Sequence, residues 1–566
     1  DLDAIALDDE PTFELIRASD TLGCFQIESP GQRELLQKLQ PTRWEDLIVD
    51  ISLFRPGPVK SDMINPYLRR RAGMEAPTYA HPALRPALRE TFGVIVYHEQ
   101  VLRTLAAMAG YDLTYADHVR RHLDREDLLP GFRADFLQRA TGRGVPADVA
   151  ERTWIAVAEF ASFGFCKAHA AAFAVPTYQS SWLKTHYPAH FLAGILTHDP
   201  GMYPRRLLLE DAREHGIPIL PLDVNLSEPE YVVEAVPTSP RRAEIGAPAR
   251  AARLRLRDGS VLADADGLRL RSTTPGPDPS PRAGTGGATD VEHPRYGIRL
   301  ALQDVHGISD AEVRSILEAR AEHPFRDVGD FLRRANVSKP VVEALAHAGG
   351  FDAIGKGTRR DRLYAAMTTV SQREGDQLSF DLLAATASAS GPVTLPEYTD
   401  AERVRAELEV LGLDASRHLV SFFEPLLAEL GVVRSRDLHR RRSDERVMVA
   451  GVKVASQTPA IRSGQRIIFL TLDDATGPVD VTVFESVQPK VAKTVFHSFV
   501  LAVLGTVRRT GYKGVSVVAE DVWDLTALLH ARRQGRLAEA LAHEGPAPGA
   551  NVPRKLWHSS GGSAGR

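Results

Sequence analysis

A multidomain, mainly α-helical chain with a small five-stranded β-barrel near its C-terminal end is the fold class that this sequence predicts. Three observations carry it: a length of 566 residues, helical spacing of apolar residues over roughly the first 230, and a late change to short alternating strands. At about 150 residues per domain that length makes three or four domains, and a composition 43% hydrophobic and 25% charged is ordinary for globular cores.

Residues 1–235 read as one mostly helical domain, with amphipathic runs over Ala83–Ala109 and Asp148–Phe163. Residues 236–293 turn rich in Pro, Gly, Arg, Ala and Ser, and Thr273–Thr289 has almost no large apolar residue, which is the composition of an insertion or linker. Over residues 294–370 order returns, with a helical run from Tyr296, a glycine-bearing hairpin at Val305–Ser309, a helix from Asp310 and a similar pattern at Val337–Ala348. Residues 371–443 form a polar linker and a helical connector that includes Ala401–Leu411. Residues 444–528 hold five strand candidates, Val447–Ser456, Arg466–Asp473, Val479–Phe484, Ser498–Val507 and Val515–Trp523, joined by glycine-bearing turns. A helix from about Leu525 and a polar tail occupy the remainder, residues 529–566.

No charged-then-apolar leader and no apolar run of roughly 18 residues occurs, so the expectation is a cytoplasmic protein without membrane partners. Cys24 and Cys166 lack the paired spacing of a thiolate metal site or a disulfide framework. A net charge of −4 neither supports nor excludes nucleic acid, because phosphate contacts depend on local Lys and Arg.

Phe163–Ala174, FGFCKAHAAAFA, embeds a glycine turn, Lys167 and His169 in small apolar residues. Such a helix start offers a cation, an imidazole and backbone N–H groups to a triphosphate; the same letters also describe a tightly packed helix with a surface lysine and a core histidine. Arg120 and Arg121 are two planar donor forks on a helix, suited to phosphate, though adjacent basic residues are usually a solvated face, as are Arg69–Arg71 and Arg440–Arg442. Arg55 stands in a rigid Arg-Pro-Gly-Pro turn from which it can project into a cleft. The hairpin around Gly307, Ile308 and Ser309 exposes N–H groups at a helix start, where a DNA phosphate binds without sequence readout. On the barrel, Phe469, Phe484 and Tyr512 are candidate platforms for stacked bases. Paired carboxylates able to hold two metal ions are not found: Asp1 and Asp3 precede a turn-rich stretch, and Asp473-Asp474 reads as a barrel turn.

Thr21–Ser29, Phe54–Pro58 and Gly93–Gln100 resemble, in order and spacing, the fingers motifs of bacterial C-family DNA polymerases, the DNA polymerase III alpha subunits, and Phe163–Ala174 with Tyr178–Pro188 resembles the family's most recognisable block. The resemblance covers nearly the whole chain. It implies a fingers domain, a tandem helix-hairpin-helix domain and an OB-like barrel, with Arg120, Arg121, Lys167, His169 and Arg55 binding the incoming deoxynucleoside triphosphate and the later modules binding the DNA primer-template. It also implies a palm, upstream of Asp1 in the family, whose aspartates hold Mg2+, so that this chain by itself binds no metal and is inactive. Ser162–Ala174 with Cys166, Thr197–Tyr203 and Leu556–Gly562 are similar to the error-prone, damage-tolerance alpha subunits of actinobacteria, which implies translesion synthesis and recruitment by companion proteins. Gln377-Leu378-Ser379-Phe380 partly resembles the peptide with which alpha subunits hold the sliding clamp, one apolar residue short; a plain polar segment is the other reading. The competing reading of the whole is a non-enzymatic DNA-binding scaffold of a repair complex built from the same modules.

Overall fold

The computed structural model describes residues 1–53, 64–161, 165–199, 201–236, 295–374, 395–458, 466–509 and 514–542. Arg55, Gln377, Leu378, Phe380 and Tyr512 lie outside them. The chain forms two compact units, one over Asp1–Tyr187 and the other over most of Pro188–Arg566.

The first unit is all-helical. Asp9 starts helix Glu10–Ala18 by accepting the N–H of Thr12 at 3.0 Å, and Asp112 starts Leu113–Arg121 by accepting that of Tyr115 at 2.8 Å, which satisfies donors that a helix start leaves orphaned. Ala83–Ala109 is not one helix. Phe92 and Gly93 take positive φ, 55° and 87°, and split short turns from helix His98–Ala109. Gly93 has no alternative there, since a Cβ would fall 2.0 Å from the Thr78 carbonyl oxygen. Leu105, Met108, Val119, Phe136, Trp154 and Val157 form a shared core for the helices from His98 to Ala161.

Helix Trp44–Leu53 is buried all round from Asp46 to Leu53, and it packs on the 20-residue helix Lys167–His186. Small residues allow that approach: Ala170 and Ala174 are wholly buried on the long helix. Tyr178, further along, donates its hydroxyl to the Ala6 carbonyl at 3.0 Å and accepts the Asp9 N–H at 2.9 Å, tying the first residues of the chain to the helix.

In the second unit, helices Pro188–His198 and Arg205–Glu214 precede a small sheet of β1 (Ile219–Leu220), β2 (Val232–Val236) and β3 (Arg295–Arg299) in the order β1-β3-β2. Tyr296 therefore belongs to a strand, not to a helical run, because β3 pairs antiparallel with β2 from Val232↔Arg299 to Val236↔Arg295. The pairing sets Val236 and Arg295 side by side.

Helices Asp310–Glu322, Val328–Arg334 and Lys339–Ala348 follow, and then Arg359–Glu374 and Asp400–Leu411. The barrel closes in the order β4-β5-β6-β8-β7, with β4 Arg446–Gln457, β5 Ile468–Asp473, β6 Pro478–Val483, β7 Val500–Arg509 and β8 Val515–Asp524. Five strands were legible as period-two runs, whereas helix Gln488–His497, inserted between β6 and β7, was not. The Asp473-Asp474 pair is a turn: Asp474 accepts the Thr476 N–H at 2.8 Å, ahead of Gly477 at φ 121°. The buried His418 imidazole joins Asp473 at 3.0 Å and fixes the preceding connector on this end of the barrel.

Candidate nucleotide and nucleic-acid sites

Tyr97 and Phe165 form a parallel bridge, and the His98 N–H donates to the Phe165 carbonyl at 2.9 Å. Helices His98–Ala109 and Lys167–His186 both begin directly beyond that bridge, so two helix starts, each the positive end of a helix dipole, lie side by side. Glu99 answers part of that positive potential. Its carboxylate accepts the Lys167 N–H at 3.1 Å and the Cys166 thiol at 3.2 Å. Burial works against its charge, but these hydrogen bonds prevail and hold its pKa below the ordinary glutamate value.

Lys167 extends its ammonium to Glu90 at 2.7 Å and over the Tyr97 ring at 5.4 Å. His169 is exposed, with its ring 4.8 Å from Phe165 and 4.3 Å from Phe173. Arg120 and Arg121 share one carboxylate: Arg120 meets Asp117 Oδ1 at 2.9 Å and Arg121 meets Oδ2 at 2.7 Å. The arginine pair adjoins the helix starts through His98, whose pKa is lowered first by burial and then by the Arg120 charge, with Glu99 and Asp117 pulling the other way. Lys167 is thus paired with Glu90, and Arg120 and Arg121 with Asp117, on the helices that flank His98 and Glu99.

Those acids escaped the sequence reading. Glu99 stood inside a quoted motif, and Asp117 lies three and four residues before the arginines on a helix, a spacing that signals ion pairs. Glu90 had no local signal. Two arginines of the Arg69–Arg71 run are internal braces and not a solvated face: Arg71 pairs with the buried Asp46, and Arg70 donates to the Phe92 carbonyl at 3.1 Å. Lys184 is another brace, wholly buried with its ammonium on Asp20 at 2.9 Å and on the Leu22 carbonyl at 3.2 Å.

At the hairpin Gly307 takes φ 81° and has open space around it. Several neighbouring N–H groups are already used. His306 donates to the Val410 carbonyl at 2.9 Å, Ile308 to that of Val305 at 3.1 Å, and Ser309 to the Glu312 carboxylate at 2.9 Å. Glu312 also accepts the Ser338 N–H at 2.9 Å, so one side chain joins the first hairpin to the start of helix Lys339–Ala348. Burial opposes its charge, but the hydrogen bonds from Ser338 and Ser309 push its pKa down to about 2.

On the barrel, Phe469 of β5 pairs with Thr482 of β6, and Phe484 lies two residues beyond Thr482. Phe484 follows the end of β6 at Val483, and its carbonyl accepts the N–H groups of Val487 and Gln488. Both rings are exposed, as is Gln457, which pairs with Phe469 from β4.

Among the described residues, neither unit by itself brings three carboxylate, imidazole or thiolate groups within reach of one another. The donor set of the described residues in either unit does not fit a two-magnesium centre. No helix among the described residues is long and apolar enough to cross a membrane.

Residues 1–144 match the bacterial DNA polymerase III alpha subunit finger domain, residues 216–362 the helix-hairpin-helix motif and residues 447–525 the OB-fold nucleic acid binding domain. The modules in this order define a chain that belongs to the bacterial C-family, DNA polymerase III alpha type. Within that type its similarity is to error-prone members. It is 33% identical to an error-prone DNA polymerase of Symbiobacterium thermophilum, over 91% of this chain and 47% of that protein. Those of Bordetella bronchiseptica and Sinorhizobium medicae are each 31% identical, over 95% and 96% of this chain and 46% of either protein. The chain spans about half the length of the curated relatives it matches.

Proposed function

We propose that this chain is the nucleotide- and DNA-binding part of an error-prone DNA polymerase that acts in replication and damage-induced translesion synthesis. The observation that carries the reading is Lys167 at one of two adjacent helix starts, with Arg120 and Arg121 on the helix packed against the other, in the unit whose residues 1–144 match the finger domain. Guanidinium forks and an ammonium beside oriented N–H groups suit the oxygens of a triphosphate. Their task is to bind and orient the incoming nucleotide, with Arg55 a further ligand by family likeness. Magnesium, held by carboxylates beyond this chain, would stabilise the attacking and leaving oxygens. The hairpin at Gly307 and the exposed rings of Phe469 and Phe484 then hold duplex and single-stranded DNA respectively. Recruitment runs through companion proteins, with Gln377, Leu378 and Phe380 a weaker candidate contact to the sliding clamp, and the setting is the cytoplasm. The scaffold alternative shares the DNA contacts and lacks only a use for the triphosphate cations.

Steady-state kinetics of the intact polymerase test this. Lys167→Ala or Arg120→Ala should raise KM for nucleotide by about tenfold or more, the loss of one charge-assisted hydrogen bond, and leave DNA affinity unchanged. Weakened DNA binding with untouched nucleotide kinetics would overturn the assignment.

A further inference from the structure

Three of the cations assigned to the triphosphate, Lys167, Arg120 and Arg121, are held by acids. Lys167 is on Glu90 at 2.7 Å, and Arg120 and Arg121 divide the single carboxylate of Asp117. We propose that Glu90 and Asp117 are exchangeable stand-ins for the triphosphate, holding these cations in place and yielding them when a nucleotide binds. The inference rests on the reading of Lys167 and the arginine pair as nucleotide ligands.

The character of the pairs supports exchange. Side-chain exposure is 41% for Lys167, 45% for Glu90 and 68% for Arg121, so solvent screens these interactions and they hold weakly. The Lys184–Asp20 contact is built differently: the lysine side chain is 0% exposed, and its ammonium has a backbone carbonyl as well. A cation meant to stay is buried; Lys167 and Arg121 are open to solvent, and Arg120, 18% exposed, is the most enclosed of the three.

The charge balance points the same way. One Asp117 carboxylate faces two guanidinium groups, which leaves them a surplus positive charge and unused donors for a polyanion. A triphosphate brings several negative charges and many acceptor oxygens, and it outcompetes a single exposed carboxylate for the same forks. Glu99 is of another kind, because its carboxylate serves the Lys167 N–H and the Cys166 thiol and not a mobile cation. It keeps the helix start in place while the side chain of Lys167 changes partner.

The prediction runs against the usual effect of disrupting a site: removing either acid should improve binding. We would measure, by calorimetry on the full 566-residue chain, the affinity for dATP with magnesium and for inorganic triphosphate. Glu90→Gln and Asp117→Asn should each tighten binding by about three- to tenfold, and Lys167→Ala should weaken it. Adding Glu90→Gln to Lys167→Ala should change nothing further, because Glu90 acts through Lys167. If the single acid variants bind unchanged or more weakly while Lys167→Ala weakens binding, the stand-in role is wrong and the nucleotide site stands. If the unaltered chain binds neither probe, or Lys167→Ala binds as well as it does, the nucleotide assignment falls and the stand-in role with it. Glu90→Gln alters an exposed side chain, which keeps the test independent of any folding defect from Asp117→Asn.

Discussion

A valine at position 307 would meet no neighbour, since the space around the Gly307 Cβ position is open, but it would have to adopt φ 81°. That conformation is costly for a β-branched residue, by about 1–3 kcal/mol, and cheaper for asparagine. Gly307→Val should therefore lower duplex DNA affinity in a salt-series binding assay, and Gly307→Asn should retain most of it. Equal loss in both variants would mean that the hairpin needs glycine for a reason other than φ. Glu312 makes a prediction of the opposite electrostatic kind. Its pKa is pushed down to about 2, so the hairpin stability it contributes is complete above the ordinary glutamate range, near pH 5, and is lost as pH falls toward 2. Glu312→Gln should lower stability at pH 7 and flatten its dependence between pH 5 and pH 2, as followed by thermal unfolding. A pH profile identical to that of the parent chain would show that the Ser309 and Ser338 contacts do not persist in solution.

Pattern sufficed for elements whose residues share one environment along their length. For the five barrel strands, the runs expected from the sequence agree with the observed ones to within about two residues. It failed where the chain changes direction inside an apolar run. Ala83–Ala109 has helical spacing throughout, yet Phe92 and Gly93 break it so that His98 and Glu99 can start a helix beside Phe165. Register adds what pattern lacks, in that it sets Thr482 opposite Phe469. Phe469→Ala and Phe484→Ala should each weaken single-stranded DNA binding by about 1–3 kcal/mol and affect duplex binding little, measured with fluorescent oligonucleotides. A barrel indifferent to both substitutions would have another use for its exposed face.

For the molecule as a whole, the division of labour between this chain and the rest of a polymerase is open to direct test. Neither unit alone assembles a three-ligand metal group among its described residues, so the purified chain should not extend a primer in magnesium, even at enzyme concentrations where it binds DNA. Template-directed extension by the chain alone would place catalytic carboxylates within it.

Composition, periodicity and short motifs determined the order of the modules and the strands of the barrel, because each is written in contiguous residues. Only the tertiary structure decided which side chains meet. Glu90 and Lys167 are 77 positions apart, and Glu99 and Cys166 are 67 apart, so no local pattern records either contact. The same is true of Lys184, whose buried ammonium meets Asp20 and the Leu22 carbonyl, 164 and 162 positions away. Long-range contacts are set by how helices stack, and stacking depends on the shape of the whole buried surface, which a one-dimensional spacing does not contain.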